Sequence, residues 1–169
     1  AQAGSSQNKL QAAVAAGQSF LSNMTFPEDQ AAVVSFNETA RVVVPLSSSR
    51  ASLSFALNGL TTKSGTRIDR GIESSMAELL SGRAKKGHKP VIILLTDGRP
   101  TAGTEATALK NATSARSMGF TLFTIGLGPD LDRNLLTQIA GKAGQAFFAP
   151  DGSALKRIYD QVAGKALCD

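Results

Sequence analysis

Two oxygen-bearing side chains stand out by their positions. Asp97 follows Val91-Ile92-Ile93-Leu94-Leu95-Thr96, an aliphatic run that opens after Pro90 and closes in a Gly98-Arg99-Pro100 turn. Such a run reads as a parallel strand buried on both faces, which places a carboxylate at the edge where open α/β sheets bind ligands. The same position suits a plain turn former, since Asp before Gly is common in turns. Thr66 lies in Lys63-Ser64-Gly65-Thr66-Arg67-Ile68-Asp69, just ahead of a helical pattern, where a hydroxyl more often caps the helix than binds a ligand. Taken together, a hydroxyl before a helix and a carboxylate ending the next strand could meet at one edge of a sheet. Their oxygens suit a hard cation such as Mg²⁺ or Mn²⁺.

Other chemistries do not find their residues. A serine or cysteine nucleophile needs a base within reach, yet the sole histidine, His88, precedes the buried strand and the sole cysteine, Cys168, stands next to the carboxyl end. Gly126-Leu127-Gly128-Pro129-Asp130-Leu131 carries two glycines of a dinucleotide fingerprint but Leu131 in the third place, and no triphosphate-binding Gly-Lys-Ser/Thr run exists. One Cys and one His cannot supply a usual zinc site.

The elements that must position Asp97 and Thr66 are legible from periodicity and turn residues. Lys9 to Met24, Ser49 to Leu60, Ile68 to Leu80, Ala106 to Met118, Leu131 to Ala140 and Asp151 to Leu167 read as helices. Ile68, Ile72, Met76 and Leu79 form one apolar stripe, and Gly119 suits a helix C-terminal cap. Gln30 to Phe36 and Ala40 to Leu46 read as strands joined by Asn37-Glu38-Thr39, short enough for an antiparallel hairpin. Thr121 to Gly126 and Gln145 to Ala149 are further strands. Alternation of this kind predicts an α/β fold whose mostly parallel sheet is covered by helices on both faces.

Composition agrees with one globular domain. The chain has 169 residues, 42% of them hydrophobic and 18% charged, enough for a sizeable core filled mainly by aliphatic side chains. Eighteen basic residues against 13 acidic ones give a net charge of +5, which favours acidic partners at long range. Basic residues are not interleaved with aromatics in the manner of a nucleic-acid binder, so no nucleic-acid partner is expected. The densest basic run, Arg83 to Lys89, precedes the buried strand and so falls at the end of the sheet opposite Asp97, where it reads as a solvated loop. No stretch approaches the roughly 18 to 20 apolar residues of a membrane span. Cys168 reads as a free thiol or as half of a disulfide whose partner lies elsewhere.

In order along the chain, Lys9-Leu10-Gln11-Ala12-Ala13, Val33-Val34-Ser35-Phe36, Pro45-Leu46, Gly65-Thr66-Arg67-Ile68, Ile92-Ile93-Leu94-Leu95-Thr96-Asp97-Gly98, Phe123-Thr124-Ile125-Gly126-Leu127-Gly128 and Phe147-Phe148-Ala149-Pro150-Asp151 resemble a von Willebrand factor A domain of the compact bacterial kind. The resemblance implies a doubly wound, mostly parallel sheet with one antiparallel edge strand. It also implies a metal-ion-dependent adhesion site, in which an Asp-x-Ser-x-Ser motif, a threonine and a second aspartate surround a divalent ion. An acidic side chain of a partner completes the shell. Thr66 matches the threonine and Asp97 the second aspartate.

The first motif departs from the pattern. Aligned without extra loop residues, Ala1 and Ala3 replace its Asp and first Ser and leave Ser5 as the second; alternatively the motif ended before Ala1. The family's first strand, which lies in mid-sheet, is missing from the sequence. Its removal would split the core and leave backbone groups unpaired, each at about 1 to 3 kcal/mol if buried. Residues 1–169 are therefore expected to be a single domain truncated at its amino end, or one that receives its strand from a separate piece, with Cys168 pairing to a cysteine outside the sequence.

The resemblance implies a non-catalytic, extracellular or cell-surface module that binds an acidic group of a protein partner through Mg²⁺, or Mn²⁺ or Ca²⁺, held by Thr66, Asp97 and Ser5. One alternative is a metal-independent interaction domain with a degenerate site. Another is an α/β enzyme using Asp97 as a general acid or base. This ranks last, because no second carboxylate or histidine accompanies Asp97 in the motifs.

Overall fold

A computed structural model describes residues 6–167; Ser5 and Cys168, with the roles expected of them, lie outside these. Six-residue strand β3 (Val91–Thr96) is where the aliphatic run becomes geometry. It pairs in parallel with β4 (Thr121–Leu127), which pairs in parallel with β5 (Ala146–Ala149). Side chains alternate across these strands and so bury two separate faces. On one face Ile92, Leu94 and Leu122 pack with α3 (Ile68–Leu79), α4 (Glu105–Ser117) and α5 (Arg133–Ala140), through Ile68, Ile72, Ala108, Ala112, Leu136 and Ile139. On the other, Phe123, Ile125 and Leu127 pack with α6 (Leu155–Leu167) and with Ala16 of α1 (Ser6–Asn23). Phe20 of α1 meets the buried ring of Tyr159 edge-on at 6.1 Å between centroids. Helices on both faces of a parallel sheet are the doubly wound architecture expected.

The remaining strands form a second sheet. β1 (Ala31–Phe36) and β2 (Ala40–Ser47) are an antiparallel hairpin, turned by Asn37, whose N–H donates to Thr39 O at 2.8 Å while its Oδ1 accepts from Thr39 N at 3.1 Å. Between the hairpin and the parallel sheet there is no strand pairing among the described residues. Among the described residues the strands thus fall into two sheets, divided between β1 and β3. α3 spans the division: it packs against β1 and β2 and also against β3 and α4. Gly71 makes this possible, because a Cβ there would stand 2.9 Å from the Phe36 ring of β1. α2 (Arg50–Asn58) begins at Ser49, whose side chain accepts from Ser52 N, and packs on the hairpin and α1.

Most element boundaries differ from the sequence reading by one or two residues, α1 by three at its start, and at two of them a polar side chain sets the limit. α5 starts at Arg133 rather than Leu131 because the Asp132 carboxylate caps it, accepting from Leu135 N at 2.9 Å. Asp151 does the same for a short turn over Gly152–Ala154, accepting from Ser153 N at 2.8 Å, so α6 begins at Leu155. The basic run before β3 is more than a solvated loop. Arg83 Nε and Nη2 each donate at 2.8 Å to the buried Glu78 carboxylate, which also accepts from Leu46 N at 2.8 Å. Gln30 Nε2 donates to Arg83 O at 3.0 Å, and Gln30 Oε1 accepts from Lys85 N at 2.8 Å. The loop therefore fastens α3, β2 and the start of β1.

Candidate metal centre

β3 ends at Thr96, and the tight turn after it is made by that residue rather than by the aspartate. Thr96 Oγ1 donates to Gly98 O at 3.3 Å and lies 3.4 Å from Gly98 N. The turn-forming role open to Asp97 is thus filled by Thr96, and the Asp97 carboxylate instead meets Lys9 Nζ at 3.4 Å. Thr66 resolves in the same direction. The N-cap of α3 is Arg67, without a side-chain cap bond, and the Thr66 hydroxyl makes no hydrogen bond among the described residues.

The two residues come together because their loops are laced to one another. Thr66 N donates to Thr101 Oγ1 at 3.2 Å, Thr101 N donates to Thr66 O at 3.0 Å, and Arg67 N donates to Asn37 O at 2.8 Å. Gly65 sits at φ +92°, in the left-handed region, with its Cβ position 2.6 Å from Glu38 N; only glycine fits there. As a result Thr66 Oγ1 lies 3.5 Å from where a Cβ on Gly98 would stand, directly beside Asp97. Carboxylate and hydroxyl thus share the carboxyl edge of the parallel sheet. His88 lies in the loop that enters β3, at the other edge.

A third residue joins them that sequence reasoning missed. Lys9 Nζ lies 3.4 Å from Asp97 Oδ2 and 3.5 Å from the Cβ position of Gly128, in the turn after β4. A signal was present in the sequence. Lys9 is the lone charged residue of α1, and it sits in the first turn, where the helix dipole disfavours a cation. Its position answers to Asp97 instead of to its own helix.

Behind the site, Arg67 and Asp69 form a two-pronged ion pair, with Nε to Oδ1 at 2.9 Å and Nη2 to Oδ2 at 2.7 Å. The Arg67 guanidinium holds the buried Asp69 carboxyl below the usual carboxylate range, against the opposing effect of burial. Asp69 O in turn accepts from Asn111 Nδ2 of α4 at 3.0 Å. On the solvent side Arg99 pairs with Asp130 at 3.1 Å, both exposed.

The donor set suits a hard divalent cation in kind. Thr66 and Asp97 offer hydroxyl and carboxylate oxygens and no competing soft ligand. Among the described residues no group of three or more His, Cys, Asp or Glu could hold a metal, so Thr66 and Asp97 could supply at most part of a coordination shell, and Ser5 lies outside the described residues.

A family model for the von Willebrand factor type A domain matches residues 3–161. The chain belongs to that family. Domains of this type commonly serve in adhesion and protein interaction and carry a metal-ion-dependent adhesion site. The von Willebrand factor A chain is 30% identical over 118 residues to an uncharacterised protein of Synechocystis sp., covering 69% of this chain and 28% of that protein. It is 35% identical over 128 residues to inter-alpha-trypsin inhibitor heavy chain H1 of Sus scrofa, covering 68% of this chain and 13% of that one. The chain therefore spans under a third of the length of either relative. Among solved structures, proximal thread matrix protein 1 from the mussel byssus, with a zinc occupied MIDAS motif, superposes with a TM-score of 0.84 at 25% identity over 95% of this chain and 41% of that one. The vWF domain of the type V pili tip protein Mfa5 from Porphyromonas gingivalis gives 0.84 at 15% identity over 98% and 90%, a likeness of fold alone.

Proposed function

We propose that this von Willebrand factor A domain is a non-catalytic protein-binding module of the cell surface or extracellular space. In this reading its carboxyl sheet edge recognises an acidic group of a partner through a divalent cation held with the help of Thr66 and Asp97. The observation that carries it is the convergence of these side chains from separate loops, each left out of the helix cap or turn that would otherwise employ it. Mg²⁺, with Mn²⁺ or Ca²⁺ as substitutes, is the ion the oxygen donors favour, and Zn²⁺ is a further candidate from the zinc occupied motif of the mussel protein. When bound, the ion would supply a positive centre for a partner's carboxylate. The chain's own residues do the rest. The Gly65 turn and the Thr101 bonds hold the hydroxyl in place, the Arg67 and Asp69 fork stiffens the start of α3, and the +5 charge draws acidic partners in. The absence of a second carboxylate or histidine beside Asp97 in the described site speaks for binding over acid or base catalysis.

A second reading, metal-independent recognition by the same edge, is favoured by Lys9, which already neutralises Asp97. Calorimetric titration of Mg²⁺, Mn²⁺ and Zn²⁺ into the protein and into Asp97→Ala separates the two. Saturable binding lost in Asp97→Ala supports the first. No binding supports the second, and binding unchanged by the substitution removes Asp97 from the site.

A further inference from the structure

We infer that Lys9 is a built-in competitor of the divalent cation, a tethered ammonium that occupies Asp97 when no metal is bound and must yield it for metal to enter. The inference rests on the metal-binding reading above and adds to it a residue that sets the affinity. Three observations carry it. The Lys9 ammonium is 3.4 Å from Asp97 Oδ2, and Asp97 has no other ion-pair or hydrogen-bond partner among the described residues. Lys9 stands in the first turn of α1, where a positive charge is opposed by the helix dipole, so the contact with Asp97 is what its position gains. Finally, the pair is open to water: the Asp97 side chain is 53% exposed and that of Lys9 28%. Solvent screens such a pair, which is worth little and breaks readily. A buried lysine would block the site permanently, whereas a half-exposed one is an exchangeable occupant.

Charge arithmetic makes the exchange unavoidable. A divalent ion on the Asp97 carboxylate would stand within a few ångströms of the ammonium, and two positive charges at that separation repel. The flexible four-carbon stem lets the ammonium swing into solvent while its helix stays in place. Lys9 thereby lowers metal affinity modestly and keeps the carboxylate charge-neutral in metal-poor surroundings.

The test uses Mn²⁺ on the whole chain, followed by water-proton relaxation enhancement, with Lys9→Gln, Asp97→Ala and the unsubstituted protein compared. Lys9→Gln is expected to bind Mn²⁺ on the order of fivefold more tightly, the ratio an exposed ion pair sets. In parallel, acylation of lysines by an activated acetate ester, read residue by residue by mass spectrometry, is expected to show Lys9 reacting faster when Mn²⁺ is saturating, with Lys86 in the distant basic loop as an unchanged reference. Equal or weaker Mn²⁺ binding in Lys9→Gln, or a Lys9 acylation rate indifferent to Mn²⁺, overturns the inference while leaving the metal site standing. No Mn²⁺ binding in either form overturns both the inference and the reading beneath it.

Discussion

Arg67 grips Asp69 with both arms of its guanidinium, 2.9 and 2.7 Å, joining the N-cap of α3, one residue after Thr66, to the helix's first turn. The planar fork fixes the angle at which the Thr66 loop enters the helix, which a single-point lysine contact would not do. Asp69→Asn replaces the buried carboxylate of the fork with an amide that can accept only one of the two Arg67 bonds, and is expected to cost about 2 kcal/mol in urea unfolding. Because the loop also carries Thr66, the same variant should weaken Mn²⁺ binding more than it weakens Mg²⁺-free thermal stability would account for. Metal affinity equal to that of the unsubstituted protein would detach the fork from the site.

Acid should find this fork and the Glu78 and Arg83 fork first. Both carboxyls are held below their usual range, chiefly by the arginine that donates to each. A carboxyl whose folded value lies below its unfolded one adds stability above the unfolded value and loses it as pH falls through the folded value. Stability is therefore expected to be level near neutrality and to decline below about pH 5. The Asp69→Asn, Glu78→Gln double variant should be less stable at pH 7 but show a flatter decline, measured by urea midpoints from pH 7 to pH 3. An equally steep decline would mean that other groups govern the acid limb.

Gly65→Ala is expected to cost more than about 1 kcal/mol, since φ +92° disfavours a side chain and the added carbon would press on Glu38. Its effect on the site is the sharper readout. Moving the Gly65 turn moves Thr66, so Mn²⁺ affinity should drop even where circular dichroism reports an intact fold.

Thr66→Ala and Asp97→Ala should each leave thermal stability within about 0.5 kcal/mol, because neither side chain caps a helix or closes a turn. Asp97→Ala also releases Lys9 from a screened contact worth little. Loss of several kcal/mol in either variant would recast these residues as structural.

The order of strands and helices was readable because each element carries its own signal: the aliphatic run of β3, the stripe Ile68, Ile72, Met76 and Leu79 of α3, the Asn37 turn of the hairpin. Ile68 and Ile72 are buried and Met76 and Leu79 pack beside them, as the stripe predicts. Half of the site was readable for the same reason, since a strand end fixes where Asp97 must lie. The rest depends on tertiary contact. Periodicity says that α1 is a helix, and Lys9 is its lone charge, but not that this part of the helix reaches the carboxyl edge. Glu78 shows the same limit. On a helical wheel it is one more charged residue, and only the arrival of Arg83 and Leu46 N makes it a buried knot.

The outer strands of the two sheets bear on the molecule's behaviour in crowded solution. Among the described residues β2 and β5 are outer strands, whose free amide and carbonyl rows lie on the sides away from the division. Each such row is a template on which another extended chain can add. The net charge of +5 repels copies of the chain from one another. Raising ionic strength shortens the reach of that repulsion to about 8 to 10 Å, so association of copies is expected to increase with salt, as light scattering would show.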